Sequence, residues 1–315
     1  MITVLSGSGC SYYNQIMARK HLVDGSKSYK DRKFPQAEQL FREAIARDPQ
    51  GKSLEGQTAQ LFLARTIHSK FIGDRQRTDW AQDAINEYQK ALQQNPKDQS
   101  SYKAIASLYD NLQKPDDWLK LVTARSANTN IPPEQRSEAF TSLAAKKNTC
   151  ANEITDTDKT KKTVTKDGKQ TFQFVKPESP EAYETLKVCI DDGMKLIDQA
   201  LALETPDVKN AASINVKNMS DQELVAKQDL LKVYESARSY KASLIFQAMR
   251  LAEMDGRTPD RDRYKTEGDA ARRHFLDLSD VVKKIEGEVD ERVAAKEAEA
   301  TGGDKVNTNA AANKK

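Results

Sequence analysis

The chain has 315 residues, of which 37% are hydrophobic and 31% charged, and its 50 basic and 47 acidic residues leave a net charge of +3. The hydrophobic fraction lies below the roughly 45–50% of an ordinary globular domain, which argues against a dense enzyme core. Balanced charge argues against a nucleic-acid-binding surface, and no apolar stretch approaches the roughly 18 residues that a membrane-spanning helix needs.

The first ten residues, MITVLSGSGC, are a short apolar run followed by small residues and Cys10. They resemble the end of a bacterial lipoprotein signal, in which small residues precede a cysteine that is lipidated. They depart from that pattern at Gly7, where a leucine is usual, and in lacking a basic segment before the apolar run. We predict a lipoprotein-like anchor segment over residues 1–19 with Cys10 as the lipidation site. The alternative is an ordinary cysteine at a cytosolic N-terminus.

An internal repeat is the main signal in the sequence. Each copy places small residues, an aromatic residue and a proline at the spacing of a helix that packs closely and then ends. The first copy is Phe34, Ala37, Phe41, Ala44 and Pro49, and the second is Trp80, Ala84, Tyr88, Ala91 and Pro96. A different helical pattern follows, made of Tyr102, Ile105, Ala106 and Tyr109.

These residues resemble the tetratricopeptide repeat (TPR), a 34-residue unit of two helices. Gly25 precedes Ala37 by 12 residues, as the consensus expects of the small residue in its first helix. Ala106 follows Gly25 by 81 residues, which exceeds the length of two consensus repeats. The surplus predicts an insertion between the helices of the second unit, at Ile72 to Asp79 and its flanks.

Weaker matches extend the pattern beyond residue 110. Trp118 stands where a small residue is expected, so the second helix of the third unit is divergent. Phe140, Leu143 and Ala144 begin the first helix of a fourth pair. The remaining predicted helices run from about Ser179 to Leu203, from about Asp221 to Met254 and from about Pro259 to Lys284.

We therefore predict an all-α fold, a TPR-like α-solenoid of about five helical hairpins, with a β-hairpin insertion near residues 163–175. The predicted divisions are the anchor segment at 1–19, the first part of the solenoid at 20–150, the insertion at 151–180, divergent TPR-like helices at 181–284 and a charged, largely disordered tail at 285–315. Because stacked hairpins bury only the surface between neighbours, this fold explains the low hydrophobic fraction.

Two cysteines are candidates for a disulfide. Cys150 and Cys189 fall at adjacent ends of two helices that we expect to pair in antiparallel orientation. A disulfide requires Cα atoms within about 7 Å, which such helices allow, and it would persist in an oxidising compartment such as the periplasm. The alternative is a pair of buried, reduced cysteines.

The insertion contains TVTKDGKQTFQFV, two β-prone runs around Asp-Gly, which is a strong hairpin signal. Pairing Lys166 with Lys169 places Phe172 and Phe174 on one face, and neighbouring lysines make the hairpin basic. Since a two-stranded sheet alone is only marginally stable, its aromatic face should rest on the helices or on a partner. Two interpretations stay open: a solvated loop, or a contact arm for an acidic protein surface or membrane headgroups.

Residues typical of catalysis or metal binding do not form a pattern. His21, His68 and His274 lie far apart, and none has a histidine or cysteine one helical turn away. The sequence has neither a nucleophile elbow nor a phosphate-binding loop. We predict no catalytic residue, no metal, no cofactor and no enzyme activity.

The TPR resemblance implies that a surface formed by first helices binds an extended peptide or a partner helix. The candidates on that surface are Lys20, Lys27, Gln60, Arg65, Lys103 and Ser107, and those on the hairpin are Lys166, Lys169, Phe172 and Phe174. The expected partners are proteins, peptides or subunits of a membrane complex, with no nucleic acid, and the membrane is reached by a lipid anchor rather than a span.

The resemblance thus implies a non-catalytic interaction scaffold, lipid-anchored in a bacterial envelope and facing the periplasm, as an accessory or assembly subunit. One alternative is a soluble cytosolic TPR adaptor or chaperone-like peptide binder. The other is an enzyme with an unrecognised C-terminal site.

Overall fold

Helices make up nearly all of the structure, a computed structural model that describes residues 8–166 and 168–310. Side chains are described for residues 12–165 and 168–299. Residues 1–7 of the predicted anchor segment therefore lie outside the described residues. The chain divides between Val122 and Thr123 into two compact units, unit 1 and unit 2.

Over residues 8–122, the elements of unit 1 are five helices and part of a sixth. They are α1 (Ser8–Lys30), α2 (Phe34–Arg47), α3 (Leu54–Gly73), α4 (Thr78–Gln94) and α5 (Gln99–Asn111), with α6 (Pro115–Ala127) spanning the boundary. Unit 2 contains α7 (Pro133–Thr155), β1 (Lys161–Lys166), β2 (Lys169–Phe174), α8 (Pro180–Leu201), α9 (Pro206–Lys209), α10 (Asp221–Met254) and α11 (Thr258–Ala310), and two short 3-10 turns at Ala211–Ser213 and Val216–Asn218. The predicted fold class, TPR-like and all-α with a β-hairpin, is confirmed.

Side-chain caps explain where several helices begin. The Ser53 hydroxyl accepts from the Gly56 amide at the start of α3, and the Asp98 carboxylate accepts from two amides at the start of α5. At the start of α10, Ser220 and Glu223 form a reciprocal capping box. These caps satisfy amides that have no partner within the helix.

The repeated residues of α2 and α4 form the core of unit 1. Ala37, Phe41 and Ala44 are fully buried on α2, and Ala84, Tyr88 and Ala91 are buried on α4. Helix α3 packs on both α2 and α4, and α1 packs on α2 and α3. The spacing of small and aromatic residues therefore marks the faces along which these helices meet.

The predicted insertion in unit 1 does not form a separate segment. Only residues 74–77 separate α3 from α4, and Ile72 and Asp79 both lie within helices. The additional residues instead lengthen α3 and α4, so both helices continue past the ends that the consensus length predicts.

Unit 2 is built around α10, which packs on α7, α8 and α11. The hairpin has the predicted register, since Lys166 pairs with Lys169 and Thr163 with Phe172 across the two antiparallel strands. Helix α7 extends to Thr155, so the insertion begins after that residue rather than at 151.

The prediction of a largely disordered tail from residue 285 is wrong for the residues that follow directly. Helix α11 continues to Ala310, and Ile285 on it is fully buried against Val208, Val216 and other apolar residues. The Arg292 guanidinium donates to the backbone oxygens of Met219 and Val216, at 2.6 and 3.2 Å. The segment between α8 and α10 thus covers this part of α11 and holds it in place.

Candidate functional site

An aromatic cluster connects the first helices of unit 1. The Tyr29 ring of α1 meets the Phe62 ring of α3 edge-on at 6.0 Å between centroids, and its hydroxyl lies 3.1 Å from the Ser69 hydroxyl. Phe62 also contacts Phe41 of α2, with ring centroids 5.6 Å apart. Because aromatic packing of this kind fixes ring orientation, the cluster holds α1 and α3 in a defined register.

Arg65 lies beside this cluster and connects α3 to α5. Its guanidinium stacks over Phe62 at 5.3 Å, and one nitrogen donates to the Ser100 hydroxyl at 3.2 Å. Lys103 and Ser107 are exposed on the same helix as Ser100, one turn apart. The structure therefore brings three predicted residues, on α3 and α5, to one first-helix surface, defined here by Phe62, Arg65, Lys103 and Ser107.

Gln60 does not belong to that surface, which corrects its prediction as an exposed partner-binding residue. It is only 3% exposed, and its side-chain amide donates to the carbonyl and the carboxylate of Glu87 on α4, at 3.1 and 2.7 Å. The Lys90 ammonium also donates to the Glu87 carboxylate, at 2.9 Å. The position of Gln60 one turn before buried Leu63 was the signal that it points inward.

Lys20 and Lys27 lie on a different face of α1. Helix α1 contacts α3 through Tyr29, which is separated from Lys27 by roughly 200° around the helix. Ala18 and Gly25 face the buried side. The two lysines are exposed on the outer face of α1 and do not join Arg65.

Two surface grooves were not anticipated from the sequence. One of about 680 Å³ lies between α2, α3 and α4 in unit 1, where Arg42, Gln60, Glu87 and Lys90 supply its polar lining. The other, of about 560 Å³, lies in unit 2 and contains an ion pair between Arg238 and Glu204 at 2.8 Å. Each groove is lined by residues of different helices that lie far apart in the sequence, so no local motif predicts it.

Cys150 of α7 and Cys189 of α8 are joined by a disulfide, with their Cα atoms 6.2 Å apart. The bond bridges 39 positions of sequence and closes the base of the segment that carries the hairpin. Cys189 is buried within the same apolar cluster as Ala151 and Leu186.

The hairpin rests on unit 2 through one of its two predicted aromatic residues. Phe174 is buried against α7, α8 and α10, and the Arg250 guanidinium lies 4.7 Å above its ring. Phe172 is 55% exposed and is contacted by the Lys161 ammonium at 4.4 Å. Lys169 is exposed, whereas the side chain of Lys166 lies outside the described residues.

A carboxylate at the end of α10 ties the exit of the hairpin to the helices. Asp255 accepts hydrogen bonds from the Tyr183 hydroxyl and from the ammonium of Lys176, the latter at 2.8 Å. The Arg257 guanidinium lies 3.2 Å away. Burial raises the pKa of Asp255, but the hydrogen bonds from Lys176, Tyr183 and Arg257 outweigh burial and lower the pKa to about 2.

Two of the three histidines contact side chains of a neighbouring helix. His21 lies 3.0 Å from the Glu43 carboxylate, and His68 contacts the Tyr88 hydroxyl at 3.3 Å. Burial and the nearby Arg75 charge lower the pKa of His68. Among the described residues, no three histidine, cysteine or acidic side chains gather closely enough to hold a metal ion.

Comparison with known proteins leaves the family open. No family model matches the chain. No curated protein matches it. Among solved structures it is similar to pilF of Pseudomonas aeruginosa, with 14% sequence identity and a TM-score of 0.33. The match covers 86% of this chain and 99% of that chain. Because a TM-score this low does not establish a shared fold, the fold assignment rests on the paired helices of this chain and their packing.

The predicted lipidation site falls at the edge of the described residues. Cys10 lies in the first turns of α1, but its side chain is not described. Within residues 8–166 and 168–310, no helix has the length and apolar character needed to cross a membrane.

Proposed function

We propose that the chain is a non-catalytic interaction scaffold of the TPR type that is lipid-anchored at Cys10 in a bacterial envelope and faces the periplasm. It would serve there as an accessory or assembly subunit of a membrane complex. The observation that carries the proposal is the first-helix surface of unit 1, where a stacked arginine and exposed polar side chains stand on a rigid aromatic cluster.

The chemistry of this surface favours an acidic peptide or helix as the partner. Arg65 presents a guanidinium that is held in one orientation by Phe62 and Ser100, so little side-chain freedom is lost when it binds a carboxylate. Lys103 adds a second cation from the neighbouring first helix. Arginine and aromatic side chains are also the residue types that dominate binding energy at protein interfaces.

Two features support a location in the bacterial envelope, facing the periplasm. Small residues lead up to Cys10, as in a lipoprotein signal. The Cys150–Cys189 disulfide suits an oxidising compartment, because reducing systems keep most cytosolic thiols free.

A photo-crosslinking experiment tests the scaffold role. A photoreactive amino acid at Leu61, on the side of α3 near Arg65, should capture one discrete partner in the native envelope. The matched control places it at Asn86, an exposed residue of α4 on the other helix layer. Capture at neither position, or equally at both, would count against a partner bound by first helices.

A fractionation experiment tests the anchor separately. The full-length gene product should incorporate labelled palmitate and sediment with membranes, and Cys10→Ser should abolish the label. Failure of the wild-type protein to take up the label would reject the anchor while leaving the scaffold role untouched.

A further inference from the structure

The outer face of α1 carries large apolar side chains that stay largely exposed, although the Arg47 guanidinium of α2 lies 6.0 Å from the centre of the Tyr13 ring. Tyr12, Tyr13, Ile16 and Val23 are 68%, 57%, 48% and 60% exposed. Tyr12, Ile16 and Val23 follow one another at intervals of four and seven residues, which places them in one stripe along the helix. The opposite side, where Ala18 is fully buried, is the side that packs on α2 and α3.

Cations accompany this apolar stripe. Arg19, Lys20, Lys27 and Lys30 are all exposed on α1, and Asp24 is the one acidic residue of that helix. Within the described part of the chain, none of the four cations forms an ion pair. The outer face of α1 therefore presents apolar side chains over residues 12–23 and cations over residues 19–30.

We propose that the outer face of α1 docks on an anionic membrane surface. An amphipathic helix that lies in the plane of a bilayer buries aromatic and aliphatic side chains at the level of the headgroups and pairs its lysines and arginines with anionic lipids. Tyrosine suits this depth, because its ring is apolar and its hydroxyl stays hydrated. Lysine stems can lie along the apolar stripe while their ammonium groups reach the headgroups.

The shape of the face favours a planar surface over a peptide. Among the described residues, the main helix contacts of α1 are with α2 and α3, on the side opposite Tyr12 and Val23, so these contacts do not form a groove around the stripe. A partner that covers this stripe must be broad and flat. A bilayer meets that condition.

A second copy of the chain fits less well. In a twofold interface each copy contributes the same patch, so Lys20 and Lys27 of one molecule would approach the same cations of the other. Like charges brought together in this way oppose association. The same four cations attract an anionic surface.

The proposal rests on the anchored-scaffold function for its biological setting, and the test is designed so that the two can fail separately. Full-length protein with Cys10→Ser carries no lipid and is mixed with vesicles of phosphatidylcholine alone or with added phosphatidylglycerol. We expect sedimentation with the anionic vesicles that weakens at high salt. Lys20→Glu/Lys27→Glu should lower the affinity by about tenfold or more, since each cation near the surface contributes to binding.

Apolar contact is tested with Ile16→Ser/Val23→Ser, which should also weaken binding by about tenfold through loss of buried area. The matched control, Arg272→Glu/Lys284→Glu, reverses two exposed cations of α11 and should bind as before. Circular dichroism checks that every variant stays folded.

Three results would overturn the proposal. They are absence of binding to the anionic vesicles, unchanged binding by both α1 variants, and equal weakening by the α11 control. A dimer in sedimentation equilibrium that Ile16→Ser/Val23→Ser dissociates would assign the face to a second copy instead.

Discussion

Gly25 of α1 lies so close to Phe41 of α2 that a Cβ atom added at Gly25 would stand 2.7 Å from the Cε1 atom of the ring. Phe41 is fully buried and cannot retreat toward solvent. The absence of a side chain at Gly25 is therefore what allows the first two helices to approach. This contact explains why the repeat combines a glycine in one helix with an aromatic residue in the next.

Gly25→Ala should lower the free energy of unfolding by about 1–2 kcal/mol, because overpacking outweighs the gain in helix propensity. The matched control is Gly287→Ala in α11, where an added Cβ meets nothing within 4 Å. The control should raise stability by about 0.5–1 kcal/mol. Urea unfolding of both variants measures the difference, and a stabilising Gly25→Ala would show that the contact is looser than described.

Replacing both Cys150 and Cys189 by alanine should reduce the free energy of unfolding by about 3 kcal/mol, because the bond restricts the unfolded chain. Thiol titration of the unfolded, non-reduced and non-lipidated protein should detect Cys10 alone. Detection of free thiols at Cys150 and Cys189 in protein isolated from its native envelope would refute the disulfide there.

The two hairpin phenylalanines should differ in their contribution to stability. Phe174→Ala removes a ring buried on α7, α8 and α10 and should cost about 3 kcal/mol. Phe172→Ala changes an exposed ring and should stay within about 0.5 kcal/mol of the wild type. Equal effects in thermal and urea unfolding would mean that the hairpin does not rest on the helices through Phe174.

Asp255 should give unit 2 a pH-dependent contribution to stability. Its folded pKa of about 2 lies below the ordinary value of 3.8, so the charged form stabilises the fold above the ordinary pKa. That contribution disappears as the pH falls through about 2. Comparison of the wild type with Asp255→Asn by urea unfolding from about pH 6 downward should show a difference that shrinks over this window. A difference that is constant with pH would exclude the ion cluster as its source.

The sequence predicted those elements that local chemistry determines. Ala37 and Phe41 recur as Ala84 and Tyr88 because closely packed helices need small and aromatic residues at fixed spacing. The strand register followed from Asp-Gly, since a two-residue turn leaves one pairing of Lys166 with Lys169.

What the sequence did not predict depends on contacts between distant segments. The sequence did not predict that Ile285 in the charged tail is buried, because the residues that pack against Ile285 lie near Val216, in a distant part of the chain. The partner of Gln60, Glu87 on α4, could not be predicted from the sequence, although the position of Gln60 one turn before buried Leu63 indicated that it points inward. The side of α1 on which Lys27 stands became clear only from the contact between Tyr29 and Phe62.

The central claim is that the first-helix surface of unit 1 binds a protein partner through Arg65. Affinity capture from native membranes with wild-type protein, Arg65→Glu and the control Arg272→Glu, an exposed arginine of α11, tests it most directly. We predict that one partner is recovered with the wild type and the control and is lost with Arg65→Glu, while circular dichroism shows all three folded. Equal recovery with all three proteins would contradict the claim.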